Sequence, residues 1–218
     1  MTKIIYSLTM LRSCRELIRK YDKTFWNSFR KHSKEKLAAI IPLTPDIGKS
    51  VFAMNNKFVP AYIAWYQAFM ESGLSQQEAW ENIWMMSEKM ITTIPKFLRH
   101  SAGKAYLNGF RKKLIIQLQR QQNNELHPYD WQVTYREISE NTFELDFTEC
   151  AIKKLAHDLN AEGVLPGLCR LDYLLSHFMG HGFERTKTLG DGDECCNCRY
   201  HIKGICEWSP EKGFELRR

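Results

Sequence analysis

Six of the chain's seven cysteines lie after residue 149: Cys150, Cys169, Cys195, Cys196, Cys198 and Cys206. Two short segments hold the most informative of them. One is Cys169-Arg170-Leu171-Asp172-Tyr173. The other runs from Arg185 through Thr188, Gly190, Asp191 and Gly192 to Cys195 and Cys196. On a helix, a thiol three residues before a carboxylate shares a face with it. An arginine presents a planar fork of donors to a carboxylate. Together these supply a nucleophile, a proton carrier and an anion anchor, which is the composition of a small-molecule active site.

The carboxylate complicates the thiol's chemistry. A negative neighbour raises a thiol's pKa, so a reactive thiolate needs a cation or helix-terminal N–H groups close by. A loop position just after Gly167 would place Cys169 near a helix N-terminus. Plainer readings compete at every position. A helical cysteine is most often a small apolar core residue. The Gly190-Asp191-Gly192-Asp193 segment makes a tight turn whatever else it does, and Arg185 reads equally well as a surface cation. Cys196 and Cys198 alternate along an expected strand and share one face, opposite Cys195 and Asn197.

A metal site is a further alternative. Cys195, Cys196, Cys198, His201 and Cys206 offer enough donors for zinc, and Cys150 or Asp172 would complete a split site. Their spacing lacks the paired knuckles of most zinc ribbons. His177 and His181 stand four residues apart, as a helical metal pair does, but Gly180 and Gly182 weaken that helix. The expectation is no metal and no other cofactor, with zinc kept as the alternative. The chain has no dinucleotide fingerprint, P-loop, H-E-x-x-H motif or nucleophile-elbow serine.

The elements that must position these groups change character along the chain. Residues 8–38 place Leu8, Leu11, Leu17, Ile18, Tyr21 and Phe25 at mostly three- and four-residue spacings, an amphipathic helical stripe. Pro42, Pro45 and Gly48 interrupt it. Residues 51–72 are rich in aromatics, and Pro60 starts or kinks a helix that stops at Gly73. Ser75-Gln76-Gln77-Glu78 reads as a capping box that opens a helix carrying Ala79, Ile83, Met86 and Met90. Pro95 begins another, through Phe97, Tyr106, Phe110, Leu114 and Leu118, and His127-Pro128 marks a boundary.

Beyond that boundary the period changes to two. Residues 131–138 and 142–147 alternate on either side of Ser139-Glu140-Asn141 and predict a β-hairpin. Residues 151–161 read as helix, 163–167 as loop and 169–178 as a short helix. Residues 194–202 read as a strand and 204–208 as the next one. The fold class is therefore α+β. An N-terminal helical part (1–126) packs on a small, mainly antiparallel C-terminal sheet within residues 127–218, which carry the Cys/Asp/Arg motifs. The two parts are expected to form one compact unit.

At 218 residues the chain buries a core without disulfides. Residues 1–125 carry 20 Lys and Arg against 9 Asp and Glu, net +11, while the remainder is net −5, giving the overall +6. A basic front half raises nucleic-acid binding, but no such motif accompanies it, and a solvated helical surface explains it equally. No apolar run approaches a membrane span and residues 1–12 hold no secretion signal. A cytoplasmic protein with reduced thiols is expected, and the odd cysteine count agrees. Nothing in the sequence fixes an oligomeric state.

Three pieces occur in a distinctive order: Cys150 after the hairpin, Cys169-x-x-Asp172-Tyr173, and Arg185-x-x-Thr188-Leu189-x-x-Gly192-Asp193-x-x-Cys196. In this the chain resembles the L-2-amino-thiazoline-4-carboxylic acid hydrolase family. The segment from Gly73 through Leu74 and Ser75 to Ala79 looks like that family as well. The similarity spans most of the chain, though only the C-terminal motifs are distinctive. One departure follows Cys196, where an acidic residue and then Phe are expected but Asn197 and Cys198 stand. The resemblance implies hydrolytic opening of a small cyclic amidine, a 2-amino-thiazoline bearing a carboxylate, to an N-carbamoyl amino acid. It implies Cys169 or Cys196 as nucleophile, Asp172 as proton carrier or water orienter, and Arg185 as carboxylate anchor. Cys150, Thr188 and Gly192 would join in binding the substrate. The competing reading is a small-molecule or metal-binding sensor-like domain without catalysis. Either way the expected partner is a small molecule, with no membrane and no nucleic acid.

Overall fold

The apolar spacings of the front half resolve into α1 (Thr2–Lys20), α2 (Lys23–Ile40), α3 (Ala53–Glu71), α4 (Gln76–Ile91) and α5 (Lys96–Gln122) in a computed structural model that describes residues 1–206. The stripe over 8–38 is not one helix. Asp22 breaks it and caps α2, its carboxylate accepting the Phe25 N–H at 2.6 Å. Across the break Tyr21 stacks on Phe25, ring centroids 4.2 Å apart. Pro60 lies inside α3 rather than starting it. The capping box at α4 is formed in both directions, with Ser75 Oγ accepting the Glu78 N–H and the Glu78 carboxylate accepting the Ser75 N–H.

α2 packs along α3, and α1 lies on both α3 and α4. Their shared core is aromatic: Phe29 stacks on Phe69 at 4.1 Å, and Trp65, Ile63 and Met86 are fully buried around them. Burying one such side chain stabilises the fold by about 1.5–3 kcal/mol. A second core lies beneath the sheet. There Leu107, Phe110 and Leu114 of α5 meet Val133, Phe143 and Leu145. Tyr129, Ile152 and Tyr173 touch both cores and join them.

The sheet comprises β1 (Gln132–Ser139), β2 (Thr142–Glu149), β3 (Gly182–Glu184) and β4 (Cys196–His201), in the order β1-β2-β4-β3 with every pair antiparallel. Phe147 is opposite Cys196, Leu145 opposite Cys198 and Phe143 opposite Tyr200, so those thiols share the inner face. The outer face is polar. Arg136 reaches Glu144 and Asp146 at 2.9 and 2.6 Å, and Arg199 also binds Glu144.

Between the hairpin and β3 lie α6 (Ala151–Asp158), α7 (Leu165–Cys169) and α8 (Leu171–Met179). Residues 163–167 are therefore not a loop. Pro166 sits in the first turn of α7, where its missing N–H costs nothing. Gly167 lets α7 close on α4, since a Cβ there would lie 2.4–2.7 Å from Trp80 side-chain atoms. The fourth strand is Gly182–Glu184, not residues 204–208. Residues 204–206 carry no strand, and Glu207 and Trp208 lie outside the described residues.

Candidate active site

The sequence motifs meet because three chain segments converge. β2 delivers Cys150 to the N-cap of α6. α7 ends on Cys169 and α8 begins two residues later, so Asp172 falls in the first turn of α8. A carboxylate there faces the positive end of the helix dipole. Gly167 lies inside α7, which corrects the expectation of a loop there, while Cys169 at the end of α7 directly precedes the Arg170 N-cap of α8 and so does stand near a helix N-terminus.

Arg170, which the motif reading passed over, ties this corner to the third segment. Its guanidinium binds both oxygens of Asp191 at 2.7 and 2.8 Å and the Pro166 carbonyl at 2.9 Å. The Arg170 and Asp191 side chains are only 3% and 9% exposed, so this fork-to-fork pair is a buried clamp. It holds the turn at Leu189–Asp191 against α7. Gly190 permits the approach, because a Cβ there would lie 2.6 Å from Cys169 Sγ. Gly192 closes the turn at φ +94°, a conformation that favours glycine. Its place is a backbone one, and no atom lies within 4 Å of where its Cβ would be.

Thr188 is the hinge of the thiol cluster. Its hydroxyl lies 3.4 Å from Cys196 Sγ, which also accepts the Leu189 N–H at 3.2 Å. The same hydroxyl is a partner of the Cys169 thiol. Burial pushes Cys169 up to about 11, with Arg185 pulling against it and Asp172 and Cys196 pushing with it. Cys150 is pushed up to about 12, first by burial and then by Cys169, despite the Lys153 and Ile152 N–H groups at the start of α6. Cys198, which the motif reading did not select, is raised well above the usual thiol range by burial, with Arg185 opposing.

Arg185 sits at the centre with its side chain 1% exposed. It donates to Asp172 at 2.8 Å and to the Cys169 carbonyl at 2.8 Å. The rings of Tyr173 and Phe183 flank it, each 5.5 Å away, as cation–π partners. It is not a surface cation, and its two terminal nitrogens already have acceptors. Asp172 is the open member of the pair, its side chain 44% exposed. Desolvation by the surrounding protein raises its carboxyl nonetheless, against the pull of Arg185. Tyr106 of α5 and Tyr200 of β4 both sense the Asp172 charge, and burial raises both phenols. Their signal in the sequence was only that of a helix stripe and a strand.

The residues chosen from sequence therefore gather in one place: Cys150, Cys169, Asp172, Arg185, Thr188 and Cys196. Asn197, the departure from the family pattern, does not enter the cluster. Its side-chain oxygen accepts the Thr186 and Lys187 N–H groups at 3.0 and 2.7 Å, and its amide donates to Thr186 Oγ1 at 2.7 Å. A carboxylate would keep the first two bonds and reverse the third, accepting from the Thr186 hydroxyl instead of donating to it. Among the described residues, no group of three His, Cys, Asp or Glu side chains is arranged to hold a metal ion. His177 and His181 are not a helical pair, since α8 ends at Met179 and Gly180 turns the chain at φ +72°. No helix among the described residues is long and apolar enough to cross a membrane.

In comparisons with known proteins, the family model described as L-2-amino-thiazoline-4-carboxylic acid hydrolase matches residues 53–200. That span contains every residue of the cluster. No curated protein and no solved structure matches the chain.

Proposed function

The chain belongs to the L-2-amino-thiazoline-4-carboxylic acid hydrolase family, and from that premise we propose that it hydrolyses a small, carboxylate-bearing cyclic amidine to an N-carbamoyl amino acid. One observation carries the reading: two thiols, a shared hydroxyl and an arginine–carboxylate pair converge on one site.

We assign Cys196 as the nucleophile. A thiol at about 11 is almost wholly protonated near neutral pH, which disfavours Cys169. Cys196 Sγ instead accepts the Leu189 N–H at 3.2 Å and lies 3.4 Å from the Thr188 hydroxyl, contacts that fix the position of the attacking sulfur. Cys196 Sγ adds to C2 of the ring, and Asp172 carries off the thiol proton. The C2–S bond of the ring breaks, and the departing sulfur takes that proton. Water then adds to C2 and Cys196 leaves. One water proton returns to the thiol and the other stays on nitrogen, so one water is consumed for each ring opened. Desolvation raises the Asp172 carboxyl above the ordinary carboxylate range, the direction that suits a group which must hold a proton and then give it up.

The substrate carboxylate takes the place of Asp172 on Arg185. The exposure of Asp172 favours this exchange, since its side chain has room to turn toward solvent while Arg185 is fixed by the Cys169 carbonyl. Binding thus frees the proton carrier at the moment the ring arrives. The test follows thiol release from 2-amino-thiazoline-4-carboxylate by the wild-type protein. Turnover is expected, and removal of the substrate carboxylate should raise KM at least tenfold. Absence of ring opening on any cyclic amidine would overturn the assignment and favour a ligand-binding domain without catalysis.

A further inference from the structure

A groove lies far along the chain from the thiol cluster. It is formed by α1, α2 and the turn that follows them, has a volume of about 620 Å³, and all its lining residues precede residue 53. The matched family segment therefore does not include it. Its walls are apolar, with Met10, Leu11, Trp26, Leu37 and Ile41 among them. The Tyr6 hydroxyl in its lining is already paired, with Ser33 Oγ at 2.7 Å. Three cations line it, Lys3, Arg30 and Lys34, and no acidic residue does. None of the three is ion-paired to a carboxylate among the described residues.

We propose that this groove binds a free long-chain carboxylate, with the alkyl chain along the α1–α2 walls and the head group among Lys3, Arg30 and Lys34. The volume falls within the range of about 300–1,000 Å³ typical of small-ligand pockets. An apolar trough with an uncompensated positive edge matches an amphiphile carrying one negative end. A neutral apolar ligand would leave the cations unused. A second copy of the chain docked symmetrically through this groove would bring the same three cations together, which repels. Cys14 lines the groove as well and gives a built-in reporter.

The experiment measures binding of decanoate, dodecanoate and tetradecanoate to the full chain by calorimetry, below their aggregation concentrations. Protection of Cys14 from iodoacetamide is read in parallel by peptide mass spectrometry. Affinity should rise on the order of fourfold per added methylene until the groove is filled. Dodecanol and dodecylammonium should bind at least tenfold more weakly than dodecanoate. Arg30→Glu with Lys34→Glu should abolish the preference for the anion, and Ala38→Trp should block binding by filling the groove. Circular dichroism confirms folding of each variant, and the two variants report independently. Equal affinity for the acid, the alcohol and the amine would overturn the proposal. So would protection of Cys14 only by anionic vesicles, or a dimer that Ala38→Trp dissociates and dodecanoate does not.

Discussion

Replacing Asp172 by alanine should destabilise the protein more than replacing Arg185 by methionine, although both break the same 2.8 Å ion pair. The asymmetry follows from burial. Removing Asp172 strands a guanidinium whose side chain is 1% exposed. An uncompensated buried charge of that kind costs about 3–5 kcal/mol. Removing Arg185 strands a carboxylate that is 44% exposed, and water re-solvates it. What is then lost is a screened ion pair worth about 1 kcal/mol or less and the donor to the Cys169 carbonyl at about 1 kcal/mol, while the cation–π contacts with Tyr173 and Phe183 give way to sulfur–aromatic contacts of the methionine. Methionine restores much of the volume, so about 2 kcal/mol is expected. The double variant should cost little more than Arg185→Met alone, because it leaves no stranded cation. The assay is urea unfolding at pH 7 with linear extrapolation, and unchanged m-values show that the states compared are the same. Equal costs for the two single variants, or a strictly additive double variant, would refute the argument from burial.

Alkaline pH should weaken the fold through its thiols. Cys169 at about 11 and Cys150 at about 12 stay protonated in the folded chain while an ordinary thiol of 9.0 ionises on unfolding. The stability they contribute is complete below about pH 9 and is lost as pH rises through 11 to 12. A Tm profile should fall over that window, and Cys150→Ala should flatten the fall. Gly190→Ala should displace Cys169, which its new Cβ would approach to 2.6 Å, at a cost of about 1–3 kcal/mol and with loss of any turnover. Gly109→Ala in α5, with open space around its Cβ, serves as the control and should gain up to about 1 kcal/mol.

Much of this architecture was legible in the sequence because the relevant signals are local. The hairpin shows in a period of two, and α4 begins where Ser75 and Glu78 cap each other. The alternation that put Cys196 and Cys198 on one face is a property of any strand. What failed depended on distant partners. α7 looks like a loop because Pro166 and Gly167 are loop residues until Trp80 is in place to pack on them. β3, at three residues, is too short to show a period and exists through its pairing with β4. In the site, the motif spacing singled out residues that the fold brings together, but their partnerships had no local signature. Arg170 looks like any charged helix residue, and only the fold reveals its clamp on Asp191. The burial of Arg185 and its attachment to Asp172 are likewise tertiary facts, invisible at a spacing of thirteen residues.

The central claim is that Cys196 is the attacking group and Cys169 a supporting thiol. Steady-state ring opening of 2-amino-thiazoline-4-carboxylate by Cys196→Ser and Cys169→Ser, each confirmed as folded by circular dichroism, tests it directly. A serine hydroxyl at Cys196 has almost no anionic form near neutral pH, so kcat should fall by at least about a thousandfold. Cys169→Ser should keep kcat within about tenfold of wild type. Full activity in Cys196→Ser, or loss confined to Cys169→Ser, would contradict the account.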